Sequence, residues 1–401
     1  MTDWTRQFEG GFSIRPPVDD QHLASLPARS GLALLLAEGG RPIALLPGAD
    51  LRSRIRNRMR APEADPRRLA NLQAVTQTIL WRRTWSHFET DWRFLEIARQ
   101  LWPKRYTDLL ACKPAWFVHV NPAEQAPHFA RTRDLAGATG VCLGPFPNGR
   151  SADRFIEVLQ DAFDLCRRVQ CLRQAPHGSP CAYAQIGKCR GVCDGTTPMD
   201  EYRQVVERAA AFAAGRRADV LEAWRRQMKR AAADLAFERA AKLKARIERA
   251  AELNAEAYRH VAPAGAFRYI VLQPGRSRRR ACMFLVRGGS IVEQRPARFP
   301  PQERQLEALL GRAGAFMQRD EPMDEAGPWR LGLAARYLFS SPERRGVMLR
   351  WREDLSAGEL AETIRQSAKV LNLREPKPRS GGGKGGGPAR RAPKPAPEEG
   401  G

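Results

Sequence analysis

Residues 171–195 read CLRQAPHGSPCAYAQIGKCRGVCDG and set Cys171, Cys181, Cys189 and Cys193 in a C-x9-C-x7-C-x3-C pattern. Four of the chain's eight cysteines fall in this one segment, between a helix-patterned stretch, RFIEVLQDAFDLC, and another that begins near Asp200. Pro176, Gly178, Pro180, Gly187, Gly191 and Gly195 interrupt regular structure, and few apolar residues are left to hold the segment together. Thiolates are soft ligands suited to zinc or iron-sulfur chemistry, so a bound inorganic centre would supply the missing energy. The alternative is four small buried hydrophobes, because free cysteine is commonly core. Pro, Gly, Lys and Arg surround each of the four, which weighs toward ligation. The spacing alone does not separate zinc from iron-sulfur, and the C-x2-C knuckle of zinc ribbons is absent.

On the C-terminal side of the loop, Met199 to Gly215 reads as a helix with Gly215 as its C-cap. From Asp219, Val220, Leu221, Trp224 and Met228 recur at helical spacing, and FERAAKLKARIERAAEL continues with Phe237, Ala240, Ala241, Leu243 and Ile247. Two amphipathic helices joined around Asp234 and Leu235 make an antiparallel hairpin. Its apolar stripe either packs on its own chain or meets a partner. From Phe267 the runs FRYIVLQPG, RRRACMFLVRGG and SIVEQRPARF, punctuated by Pro-Gly and Gly-Gly turns, predict a β-meander. Helices around LEALLGRAGAFM, WRLGLAARYLF and AGELAETIRQSAKVL follow, with a strand near GVMLRW. Residues 374–401, rich in Gly, Pro, Lys and Arg, cannot bury a core and are expected to form a disordered basic tail that touches DNA backbone or only solubilises.

On the N-terminal side, Ser25 to about Leu110 reads as a small α/β unit. GLALLLAEGGRPIALLPG is two β-type runs joined by a Gly-Gly turn, and LRSRIRNRM starts a helix. RRLANLQAVTQTILWRR reads as a second helix-type stretch and leads to SHFETDWRFLEIARQLWPKRY. AWFVHV is strand-like, and the isolated His119 and His128 are assigned no role. Cys112, Cys142, Cys166 and Cys282 lie in apolar surroundings and read as core. A chain of 401 residues has room for two or three domains, and a net charge of +23 points to a polyanionic partner, of which DNA is the commonest. An arginine-rich proteome would produce the same balance. Neither a long apolar run nor an N-terminal signal is evident, so the expected location is the cytoplasm with no membrane contact.

The run from Gly144 to Asp194, with GPFPNGRSADRFIEVLQDAF and PCAYAQIGKCRGVC, resembles the middle of the UvrC excinuclease family, which has GPY or GPF, a helix, a cysteine and then PC-x2-YQIG-x-C-x-x-PC. The resemblance implies a 4Fe-4S cluster on Cys171, Cys181, Cys189 and Cys193, with Val192 where the family usually has proline. Met228, Leu235, Phe237, Glu238, Arg239, Ala240, Ala241, Leu243 and Ile247 carry a likeness to the UVR motif, which implies docking onto a UvrB-like partner. The phrase FLVRGGSIVEQR resembles the strand pair that follows that hairpin. The family's RNase H-like and helix-hairpin-helix domains have no counterpart in Gln302 to Leu373, a segment with no assigned role.

The 25–110 unit resembles in layout the family's GIY-YIG nuclease domain, but not in chemistry. The motif tyrosines fall on Ala33 and Ala44, its glycine on Leu46, the following lysine on Pro47, and the metal-binding glutamate on Phe94, with Glu89 and Glu96 nearby. Arg54 matches the catalytic arginine. Hydrolysis by this route needs a carboxylate-held cation, an arginine on the phosphate and tyrosines to position water, and Ala, Leu and Phe supply none of it. Should the site be active, Arg54 and Glu96 would carry it with Mg or Mn. Otherwise Arg52, Arg54, Arg56 and Arg58 are candidate phosphate contacts. The expected architecture is α+β multidomain: a degenerate GIY-YIG-like α/β domain (25–110), a connecting segment with a Cys-rich helical linker (111–215), a UVR helical hairpin (216–254), and a β-meander with C-terminal helices (265–373). The expected function is a non-cutting, UvrC-like DNA-binding accessory of nucleotide excision repair. The rivals are an active metal-dependent endonuclease incising damaged DNA, and a zinc-binding adaptor regulating another enzyme.

Overall fold

The computed structural model describes residues 3–15, 18, 21–59 and 72–374; of the tail expected at 374–401, all but Arg374 lies outside the described residues. Three four-stranded antiparallel sheets organise the described residues. The first, in order β1-β4-β2-β3, joins β1 (Gly10–Ser13), β2 (Gly31–Leu36), β3 (Pro42–Gly48) and β4 (Thr78–Arg83). The Gly39–Gly40 turn links β2 and β3, and α1 (Leu51–Met59) follows, both as the sequence predicts. The expected helix over RRLANLQAVTQTILWRR does not form in its described part. Only α2 (Leu72–Val75) is helical there, and TILWRR becomes β4, sandwiched between β1 and β2. Thr76, Thr78 and Ile79 are β-branched and stiff at χ1, and the strand's partners outweigh its local pattern. Strand β1 also extends this unit ahead of Ser25.

Helix α3 (His87–Leu101) starts at Ser86, whose side chain accepts from Glu89 N–H, while Trp85 N–H donates to the Glu89 carboxylate. Burial pushes the Glu89 carboxyl up in pKa. This helix bolts the molecule together. Ile97 and Ala98 pack with Leu32 and Leu34 of the first sheet, and Phe88 and Trp92 enter the core of the third. Short α4 (Tyr106–Leu109) then leads to the second sheet, of order β6-β5-β7-β8: β5 (Trp116–Val120), β6 (Ala130–Thr132), β7 (Val141–Phe146) and β8 (Ala262–Pro263). Between β7 and β8 run α5 (Gly149–Phe163), α6 (Val169–Leu172), α7 (Ala182–Gln185), α8 (Met199–Ala213), α9 (Ala218–Ala233) and α10 (Phe237–Ala251). One core joins this sheet, α5, α8 and the base of the α9–α10 hairpin.

The third sheet, of order β11-β10-β9-β12, is the expected meander: β9 (Arg268–Pro274), β10 (Arg280–Arg287) and β11 (Ser290–Arg298), closed by β12 (Val347–Arg350). Its faces alternate as a strand's period of two requires. Ile270, Leu272, Met283 and Leu285 meet α11 (Glu303–Met317) and α14 (Ala357–Gln366). Tyr269, Val271, Phe284 and Val286 meet α3 and α12 (Gly327–Leu338). A short α13 (Pro342–Arg345) precedes β12. Phe88 stands 5.2 Å from both Phe284 and Tyr337, ring centre to ring centre. Burying one such ring stabilises by about 2–3 kcal/mol. Among the described residues no helix is long and apolar enough to cross a membrane.

Candidate functional sites

The cysteine segment is a chain of short turns. Cys181 caps α7, its carbonyl accepting from Ala184 N–H at 2.9 Å and Gln185 N–H at 3.1 Å. Gly178 N–H donates to Cys193 O at 2.7 Å, closing the two ends of the loop on each other. Gly191 takes a left-handed φ of 67°, which a side chain would resist. Val192, at the position of the family's usual proline, is buried in the middle core and anchors the loop. The Cys181 thiol accepts from Ala184 and Tyr183 N–H and neighbours Cys171, which together hold its pKa below the ordinary thiol value. Burial raises Cys189 and Cys193, and each feels the charge of Cys181. Cys193 also feels Cys171 and Cys189.

The four cysteines share one loop, and as residue types they form a donor set whose chemistry suits a soft metal or an iron-sulfur group. Among the described residues, no three His, Cys, Asp or Glu side chains are closed on a common point as metal ligands. Cys166 packs against the middle core, as expected. It is half-buried, its Sγ donates to Arg168 O at 3.3 Å, and its pKa is pushed up to about 11 by burial and then by the charges of Cys189, Cys193 and Cys181. Cys112 and Cys282 are buried as expected.

The α9–α10 hairpin divides into two parts. At its base, Trp224, Leu253 and Ala250 are buried, with Val220, Leu221 and Ile247 packed beside them. Ion pairs lock α10 to α5: Arg246 to Asp164 at 2.5 Å, Arg249 to Asp161 at 2.7 Å, and Glu252 to Arg154 at 2.8 Å. Burial alone would raise the Asp161 carboxyl, but hydrogen bonds from Arg167 and Arg249 outweigh it and hold it below the usual range. At the tip, Leu235 is 72% exposed and Phe237 65%. Leu235 also adopts a φ of 57°, a left-handed conformation that costs a branched L-residue about 1–2 kcal/mol. Glu238, Arg239 and Ala241 are exposed around it, Met228 and Ala240 are half-buried, and Leu243 is buried between the helices.

The first sheet separates the two candidate catalytic residues. Ala33 packs with Leu51 and Ile55 of α1 on one face, whereas Leu32 and Leu34 pack with Phe94, Ile97 and Ala98 of α3 on the other. Arg54 is exposed on α1. Glu96, on α3, receives Arg330 of α12 at 2.5 Å and 3.2 Å, and Arg99 at 3.4 Å. Arg330 also pairs with Asp324 at 2.6 Å. Arg52 is committed to the carbonyls of Ala24 and Leu26 at 2.8–3.0 Å. Arg56 and Arg58 lie half-buried on the same helix. Sequence reasoning passes over Arg330, and over the Arg131 and Arg133 guanidiniums stacked 5.0 and 4.2 Å from the Trp116 ring. In a chain this rich in arginine, nothing local marks them.

A family model described as the middle domain of UvrC/Cho excinuclease matches residues 115–212, which hold the second sheet's first three strands, α5, the cysteine loop and most of α8. The UvrABC system protein C of Caldicellulosiruptor saccharolyticus is 26% identical over 231 residues, covering 57% of this chain and 38% of that protein. Those of Salmonella schwarzengrund and Salmonella typhimurium are 29% identical over 231 residues, covering 56% of this chain and 37% of each relative. The chain thus spans less than two fifths of the length of these curated relatives. No solved structure matches. The middle-domain match lies on the cysteine loop and its supporting helices, so it is over residues 115–212 that this chain is similar to the UvrC/Cho excinuclease family.

Proposed function

We propose that this protein is a DNA-associated accessory of nucleotide excision repair that recruits a UvrB-like partner through the α9–α10 hairpin and does not itself cut DNA. The observation that carries the reading is the hairpin tip, where Leu235 and Phe237 stand in water on a base held rigid by the middle core. Two large side chains exposed at one protruding turn cost free energy unless a partner covers them. Exposed Glu238 and Arg239 flank them and suit a polar rim. The relatives' name, UvrABC system protein C, places those proteins in a system with other members.

Cys171, Cys181, Cys189 and Cys193 would hold a 4Fe-4S cluster, which when bound supplies four metal-thiolate bonds to a loop poor in apolar contacts. The loop's own part is to join its two ends through the Gly178–Cys193 hydrogen bond and to tie them to α5 and α8 through Val192. The net charge of +23 supports long-range attraction to DNA. The lack of cutting rests on the alanines, leucine and phenylalanine at the motif positions and on Glu96, whose carboxylate is already occupied by Arg330. One experiment tests both halves. The purified chain is mixed with a UvrB-like protein and a lesion-bearing duplex in Mg or Mn, and complex formation and strand cleavage are read together, with Phe237→Asp and Arg54→Ala as variants. The expected result is a complex lost in Phe237→Asp and no incision by any form. Incision lost in Arg54→Ala establishes the nuclease instead, and a complex unaffected by Phe237→Asp removes the docking role.

A further inference from the structure

A cavity of about 730 Å3 opens where the second and third sheets meet. It lies between the end of α8, the start of β7, the residues after β8, and the turn from β10 to β11. Small-molecule sites span about 300–1,000 Å3, so one compact ligand would fill it. Its apolar wall includes Leu135, Val141, Ala211, Pro263 and Leu331. Four guanidiniums line it as well, those of Arg216, Arg268, Arg287 and Arg319.

These arginines are not equivalent. Arg287 and Arg319 reach Glu321 at 3.3 and 3.7 Å and lie against the Phe316 ring, so their charges are met within the wall. Among the described residues, no acidic group pairs with Arg216 or Arg268. Arg268 is half-buried and its Nε is shielded from water without an acceptor. A donor left unmade in that way is costly, and an anionic ligand oxygen would relieve it. Glu207 and Asp320, also in the lining, carry no ion pair among the described residues and are free to accept from an amino group.

We propose that this cavity binds a nucleoside phosphate unit, its phosphate on Arg216 and Arg268, its base against the apolar wall, and its exocyclic amino group toward Glu207 or Asp320. A planar guanidinium matches phosphate oxygens in a two-pronged geometry that an ammonium cannot offer. An acidic peptide would satisfy the arginines but meet Glu207, Asp320 and Glu321 with like charge. A free nucleotide and a nucleotide unstacked from a DNA strand present the same chemistry. This inference does not depend on the repair role or on the hairpin.

The test uses the full chain with two probes. Free dAMP, dCMP and dTMP are titrated by calorimetry, and a single-stranded oligonucleotide carrying one 2-aminopurine is followed by fluorescence. Gly265 lines the cavity, and a Cβ built there meets no atom within 4 Å, so Gly265→Phe adds a ring at the cavity wall without a clash at its first atom. Arg216 is exposed, so Arg216→Ala removes a charge without opening the core. Saturable binding is expected for at least one probe, weakened about tenfold or more in both variants at unchanged melting temperature. Among free nucleotides, dTMP, which lacks an amino group, is expected to bind more weakly than dAMP. A response from free nucleotide alone or from the strand alone identifies the source, and either supports the site. Binding to neither probe, binding unchanged in Gly265→Phe, or equal competition by inorganic phosphate overturns the proposal.

Discussion

Replacing Arg330 by methionine should loosen the joint between the N-terminal unit and the third sheet. Arg330 is 9% exposed at its side chain and Glu96 16%, so their contact at 2.5 Å is made in a largely dry setting. The guanidinium also holds Asp324 at 2.6 Å and the Gly289 carbonyl at 3.3 Å. Arg330→Met leaves Glu96 with Arg99 alone, at 3.4 Å and itself 37% exposed. Stranding a buried carboxylate costs about 3–5 kcal/mol. Partial rescue by Arg99 and by water brings the expected loss to about 2–4 kcal/mol. Glu96→Gln should cost less, about 1–2 kcal/mol, because Asp324 still meets the arginine. The double variant Glu96→Gln with Arg330→Met removes both charges and should be less destabilised than the sum of the two singles by about 1 kcal/mol or more. Urea unfolding followed by tryptophan fluorescence reads all three, since Trp92 lies in the interface. A loss below about 1 kcal/mol in Arg330→Met, or a double variant equal to the sum of the singles, would refute the argument. Magnesium-dependent cleavage appearing once Arg330 is gone would show that Glu96 had only been masked.

Further outcomes follow from the same geometry. Cys189→Ser should abolish the visible absorbance and the acid-labile sulfide of anaerobically purified protein, whereas Cys166→Ser should retain both; a colourless, zinc-containing wild type identifies the adaptor chemistry instead. Gly332 on α12 packs so closely on the chain at Lys113 that an added Cβ would sit 2.2 Å from a carbonyl oxygen, so Gly332→Ala should destabilise by about 1–3 kcal/mol in thermal unfolding. His260 accepts from Arg259 Nε at 2.7 Å and stacks edge-on to Phe339; burial first, then Arg259, Arg345 and Arg350, depress its pKa to about 4. Because the folded value lies below the unfolded 6.5, the stability it contributes is whole above pH 6.5 and is lost as pH falls toward 4. Discounted for its partial exposure, that loss is about 1–2 kcal/mol, and because glutamine does not titrate, wild type should lose that much relative to His260→Gln between pH 7 and pH 4.

Local pattern was sufficient wherever one element's periodicity met no competition. The Gly-Gly hairpin of β2 and β3, the arginine-rich α1, the α9–α10 pair turning at Asp234 and the three-stranded meander all stand where the residues place them. The stretch around TILWRR fails that test, because its helix-compatible spacing yields to a gap between two strands that only the folded sheet defines.

What the chain alone determined is the set of chemical groups: four thiols in one Pro- and Gly-rich loop, an amphipathic hairpin, a basic surface, and motif positions occupied by Ala, Leu and Phe. Those readings depend on residue type and short spacing, which the linear order preserves. What the tertiary structure decided is which groups are already taken. Glu96 is held by an arginine 234 residues away, Arg52 by backbone carbonyls, and the hairpin stripe is covered at its base but open at its tip. Availability is a property of neighbours in space, and contacts between residues so distant along the chain leave no signal in the local pattern.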